Sequence, residues 1–161
     1  MFTFASHVAR RPLLLRPFTA AQLMTTPPLS LNKHTTVQEA ATLMRKRRLD
    51  AVPIVDDARQ PVALAELSEC IRHELSVFSQ SDNRNGGSTY AFQIATPRIY
   101  RIRVDAPGAA VIQMLVQPRA QRLYVVAHSG TLVGVISRSD VLRHLLQTIG
   151  PATLPHDSPR C

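Results

Sequence analysis

Gln121-Arg122-Leu123-Tyr124-Val125-Val126, followed by Gly134-Val135-Ile136-Ser137-Arg138-Ser139-Asp140-Val141-Leu142, decides the fold of this chain. The first run ends in β-branched, apolar residues, and His128-Ser129-Gly130 supplies turn formers. The second run finishes on hydroxyl and acid residues of the kind that open helices. The pattern reads strand, turn, strand, helix. The same layout recurs at a constant offset of 71 residues, where Val55, Val62, Ser68, Arg72, His73 and Leu75 are identical to Val126, Val133, Ser139, Arg143, His144 and Leu146. An ungapped internal repeat of this kind predicts two copies of one supersecondary unit packed together.

Working outward, residues 1–20 read as a basic N-terminal arm and Ala21 to Pro28 as a lead-in that Pro27-Pro28 keep from becoming a helix. Repeat 1 spans 21–78, a flexible connector rich in turn formers spans 79–89, repeat 2 spans 90–149, and 150–161 is a tail expected to be disordered. In repeat 1, apolar residues at Val37, Ala40, Ala41, Leu43 and Met44 predict a helix, with strands over 51–55 and 62–65 and a closing helix over 69–75. In repeat 2, Pro107 opens a helix, 123–126 and 132–136 are strands, and 139–147 is helical. Arg98, Arg101 and Arg103 alternate with Ile99, Ile102 and Val104, as on a strand with one wet face.

Composition sets bounds. A chain of 161 residues, 45% apolar, buries one ordinary core or two small paired ones. Cys70 and Cys161 fit neither a disulfide framework nor a zinc cluster, which points to a reducing, intracellular compartment. The apolar runs are far shorter than the roughly 20 residues of a membrane span, so no membrane partner is expected. The net charge of +8 and pI near 10.7 favour an anionic partner. Arg10, Arg11, Arg16 and Lys33, with no acid before Glu39, make the N-terminus compatible with a mitochondrial transit peptide as well as with a simple basic arm in a cytoplasmic or nuclear protein. There is no phosphate-binding Gly-x-x-x-x-Gly-Lys loop, no Gly-x-Ser-x-Gly elbow and no nucleophile with a base partner. The six histidines show no zinc-type pairing. Neither catalysis nor a resident metal or cofactor is expected.

The two units, with Gly-Val-Ile-Ser-Arg-Ser-Asp at the last strand-to-helix junction, resemble a pair of CBS domains (a Bateman module) over residues 21–148. Residues 121–142 look most like the last CBS repeat of the AMP-activated protein kinase γ subunit, and Ala51-Val52-Pro53-Ile54-Val55-Asp56 resembles the repeat before it. The resemblance implies an α/β fold of two repeats about a pseudo-twofold axis, a regulatory subunit that binds AMP, ADP and ATP in competition, and partners that are a kinase catalytic subunit and its scaffold. Such subunits carry four repeats, so two correspond to a C-terminal half, a truncated paralogue or a stand-alone pair.

By the same resemblance Asp140 holds the ribose hydroxyls, Arg122, Ser137 and Ser139 contact phosphate, and Val135, Ile136 and the strand around Ile102 sandwich the adenine. The chemistry is sound, because an ionised carboxylate accepts from two hydroxyls at once and a helix start attracts phosphate. Ser137 and Asp140 also read simply as helix cap and first-turn acid. The 71-residue offset sets Glu66 opposite Ser137 and Glu69 opposite Asp140, so that Asp50, Glu66 and Glu69 form a degenerate second site, empty or altered because Glu66 repels phosphate. Gln121 stands where the γ-subunit pattern has histidine, which removes a cationic contact. Arg45-Lys46-Arg47-Arg48 either draws phosphates or an acidic partner, or is a solvated helix end. Two rival functions remain: a ligand-free scaffold dimerising through apolar helices, and nucleic-acid binding by the basic segments, which lack aromatic interleaving.

Overall fold

The computed structural model describes residues 18–79 and 88–149; the expected tail, most of the expected arm and connector residues 80–87 lie outside them. The elements are α1 (Ala20–Leu23), β1 (Leu31–Asn32), α2 (Val37–Arg47), β2 (Ala51–Val55), β3 (Pro61–Glu66), α3 (Leu67–Ser79), α4 (Ala91–Ile94), β4 (Arg101–Arg103), α5 (Gly108–Leu115), β5 (Arg122–Val126), β6 (Leu132–Ser137) and α6 (Arg138–Ile149). They form two three-stranded sheets, β1-β2-β3 and β4-β5-β6. In each, the short first strand runs parallel to the second and the second is antiparallel to the third. Each repeat is a small sheet packed with helices, as the resemblance implies.

Local chemistry fixes the elements. Thr36 caps α2: its hydroxyl accepts from Glu39 N at 3.2 Å while Glu39 Oε2 accepts from Thr36 N at 2.9 Å, two orphan donors satisfied reciprocally. Those bonds hold the Glu39 carboxyl below its ordinary range. Val37, Ala40 and Met44 turn one face of α2 inward. The helix ends where Arg48 takes a left-handed conformation (φ 53°) and Leu49 N donates to Met44 O, with Arg45, Lys46 and Arg47 in the last turn where the dipole favours cations. β3 and β6 alternate buried and half-buried residues, so each has one face on a core. β2 and β5 are the inner strands, and Ile54, Leu123, Val125 and Ile136 are fully buried.

The repeat extends further than the strands show. Register irregularities fall at Ile54/Val55 and at Val125/Val126, again 71 residues apart. Thr25 bridges to Val135, and its counterpart Thr96 bridges to Leu64. Each segment before a repeat therefore packs on the other repeat. Phe18, Ala20 and Leu23 join the core of Ile102, Val111, Leu123 and Ile136, whereas Ala91 joins that of Val37, Met44, Val52 and Ile54. This corrects two expectations. Phe18 and Ala20, placed in a solvated arm, are 8% and 0% exposed, and the lead-in contains a helix after all, because its apolar side chains have a core to enter. Between Arg98 and Val104, only Arg101–Arg103 is strand.

Candidate functional site

The largest cavity that positions chemistry lies between the repeats, with a volume of about 710 Å³. That is the size range of small-molecule sites. One wall is the β3–α3 junction of repeat 1: Asp50, Ala51, Glu66 and Ser68. Ala51 and Glu66 are register partners, and Leu67 N donates to Asp50 O at 2.8 Å, which ties the start of α3 to the start of β2. The other wall is repeat 2 with the segment before it, supplying Arg98, Tyr100, Arg119, Arg122 and Tyr124. The Leu64–Thr96 bridge, with bonds of 2.8 and 2.9 Å, clamps that segment onto β3, and Tyr124 N donates to Tyr100 O at 2.8 Å.

Tyr124 is 3% exposed, and burial pushes its phenol up to about 12, with Arg122 opposing the shift and Glu66 adding to it. The ring thus stands between a guanidinium and a carboxylate, as a neutral donor at physiological pH. Arg98, Arg119 and Arg122 face the two carboxylates Asp50 and Glu66 across the cleft. Such a site can receive an elongated ligand with charged groups at one end.

Arg122 is brought together with Asp50 and Glu66, while Ser137, Ser139 and Asp140 lie outside this wall. The expected grouping of Arg122 with Asp140 is corrected: the cleft takes its strand-to-helix junction from one repeat and its arginines from the other. Glu69 does not line the cleft either; both its oxygens are engaged by Arg72 Nη1, at 2.5 and 2.6 Å. Ile136 is 0% and Ile102 7% exposed, both inside the core, so neither is available to an adenine, and of that set Val135 alone is half-buried. Alternation along β6 explains it, since neighbours on a strand face opposite ways.

At the second junction Asp140 completes a capping box. Its Oδ2 accepts from Ser137 N at 2.8 Å, and Ser137 Oγ accepts from Asp140 N at 3.3 Å. Oδ1 accepts from Arg143 Nη1 at 3.0 Å, the counterpart of the Glu69–Arg72 pair. Ser139 is exposed. Arg45 to Arg48 are exposed at the end of α2. Among the described residues no group of three or more His, Cys, Asp or Glu is placed to hold a metal ion, and no helix is long and apolar enough to cross a membrane.

The cleft residues Arg98, Tyr100 and Arg119 escape sequence reasoning, although Arg119 sits two positions before Gln121 and Arg98 two positions after Thr96, the offset mate of Thr25. The signal lies in extending the repeat: Ala20, Gln22 and Thr25 are identical to Ala91, Gln93 and Thr96.

Known proteins place this geometry. The chain is 28% identical over 137 residues to an A-adding tRNA nucleotidyltransferase of Geobacter sulfurreducens, covering 83% of this chain and 14% of that protein. It is 29% identical over 136 residues to the chloroplastic CBS domain-containing protein CBSX1 of Arabidopsis thaliana, covering 70% and 57% respectively. It thus spans less than two thirds of either relative. Among solved structures, Arabidopsis CBSX2 in complex with AMP superposes with a TM-score of 0.67 at 21% identity, covering 81% of this chain and 97% of that one. The CBS pair of protein MJ0100 in complex with 5′-methylthioadenosine and S-adenosyl-L-methionine gives 0.63 at 18% identity, covering 81% and 97% of the two chains. The CBS domain model matches residues 20–75 and again 91–147, and the chain belongs to the CBS domain family as a tandem pair.

Proposed function

We propose that this CBS pair is a regulatory module, not an enzyme, that binds an adenine-bearing ligand in the cleft between its repeats. The observation that carries the reading is a cavity of about 710 Å³ that neither repeat forms alone, with three arginines on one wall. A ligand bridging two bodies favours one arrangement of them, and a regulated partner responds through that difference in affinity. The ligands named for CBSX2 and MJ0100, AMP in one and adenosine thioether and sulfonium compounds in the other, support adenosine as the shared element. The Asp140 junction is the repeat-related counterpart and is proposed as the second position, at which AMP, ADP and ATP compete. Action on a kinase catalytic subunit and scaffold rests on the resemblance of residues 121–142 alone.

Calorimetric titration of the folded chain with AMP, ADP and ATP tests this, alongside Arg122→Ala and Asp140→Asn. Micromolar binding weakened about tenfold or more by Arg122→Ala supports the cleft. Absence of heat from all three sinks the nucleotide reading.

One observation favours a second reading, a homodimer. Ile71 and Leu75 of α3 are 53% and 62% exposed, and their offset mates Leu142 and Leu146 of α6 are both 58% exposed. Paired apolar helix faces related by a twofold suit a self-complementary contact.

A further inference from the structure

Acidic side chains elsewhere in the fold are consumed by arginines: Glu69 by Arg72, Asp105 by Arg103 and Asp140 by Arg143. The cleft differs. Asp50, Glu66, Arg98, Arg119 and Arg122 line one cavity, and among the described residues none of these five side chains makes an ion pair or hydrogen bond. Opposite charges are held across the cavity without neutralising one another.

Their distribution is directional. Asp50 and Glu66 belong to the β3–α3 wall, and Arg98, Arg119 and Arg122 to the facing wall. Glu66 and Arg122 are the half-buried members, deeper than the exposed Asp50, Arg98 and Arg119. Both act on the buried Tyr124 phenol, in opposite senses, so that both charges flank one ring. In the partner junction the position of Glu66 is held by Ser137, a hydroxyl without charge. A 5′-polyphosphate would satisfy the arginines but press against Glu66, and an uncharged nucleoside would leave both walls unanswered.

Building on the adenosine reading above, we propose that the cleft selects an adenosine derivative whose 5′ substituent is zwitterionic, with an ammonium or sulfonium turned to Glu66 and a carboxylate turned to the arginines. Glu66 is then the specificity-determining residue, which rejects polyphosphates, and Arg122 the group that receives the ligand's anion through its planar fork of donors.

The test is calorimetric titration of the full chain with S-adenosylmethionine, AMP and ATP, repeated on Glu66→Gln and on Glu66→Ser, which copies the second junction, after circular dichroism shows each variant folded. The expected result is S-adenosylmethionine binding about tenfold or more tighter than ATP, with either substitution lowering its affinity and raising that of ATP so that the preference inverts. Binding of AMP or ATP in preference to S-adenosylmethionine by the unmodified chain overturns the inference and leaves the adenosine reading standing. A preference unchanged within about twofold in both variants overturns the role of Glu66. Binding of none of the three compounds overturns both.

Discussion

Thr25 and Val135 are joined by a reciprocal pair of backbone bonds, Thr25 N to Val135 O at 2.9 Å and Val135 N to Thr25 O at 3.2 Å, although 110 residues of chain separate them. Thr96 and Leu64 repeat the pair at 2.9 and 2.8 Å. The segment before each repeat thereby completes the other, and neither core closes without its partner's leader. Loss of residues 18–25 should consequently unfold the second repeat first, although the deletion lies ahead of the first.

Phe18 sits where a methyl group on Gly108 would have to be. Phe18 O also accepts from Gly108 N at 2.7 Å, so backbone and ring approach the start of α5 together. Gly108→Ala is expected to destabilise the chain by about 1–3 kcal/mol, as over-packing does. In a Phe18→Ala background the same change should cost much less, the two sites being coupled. Urea unfolding of the four proteins measures that coupling, and additive losses would refute the contact.

The strands and long helices are legible in the sequence because their periods, 2 and 3.6, are long enough to count over β3, β6, α2 and α6. α1 and α4 are not, since four residues make barely one turn and their apolar positions have meaning only against a core 70 or more residues away. Of the site, Arg122, Asp50 and Glu66 stand out singly. Their convergence does not, because Arg122 is a strand neighbour of Ser137 in sequence pattern and register yet lines the cavity of the opposite junction. Which side of a pseudo-twofold a residue serves is a tertiary fact.

Asp140 supports α6 before any ligand arrives. Removing its carboxylate by Asp140→Ala breaks the reciprocal bonds with Ser137 and should cost about 1 kcal/mol in the ligand-free protein. Glu69→Ala should cost less, since Glu69 is bonded to Arg72 and Glu66 stands where the capping serine would be. Thermal unfolding of both variants checks the order, and equal losses would deny the cap its role.

Leu75→Glu with Leu146→Glu places charge on both exposed helix faces while removing little from either core. If those faces associate, sedimentation should shift from dimer to monomer with unfolding temperature at high dilution unchanged. A monomer before and after the substitutions refutes the second reading and leaves the cleft untouched.

Tyr124 gives the cleft a signature at high pH. Its phenol is raised from an ordinary 10 to about 12, chiefly by burial. In the unfolded chain the proton leaves near pH 10, whereas the folded chain retains it, so the unfolded state binds fewer protons between those values and stability falls as pH rises. The contribution is whole below pH 10 and lost by about pH 12; two units correspond to on the order of 2–3 kcal/mol. Other groups titrate there too, and Tyr124→Phe isolates the one of interest. The gap in unfolding free energy between the natural chain and the variant should be constant from neutral pH to about pH 9.5 and shift against the natural chain above it. Arg122→Ala should widen the window upward, because Arg122 favours the phenolate, and Glu66→Gln should narrow it. Curves that stay parallel across the whole range would mean that the ring is solvated, and that Arg122 and Glu66 do not meet around it.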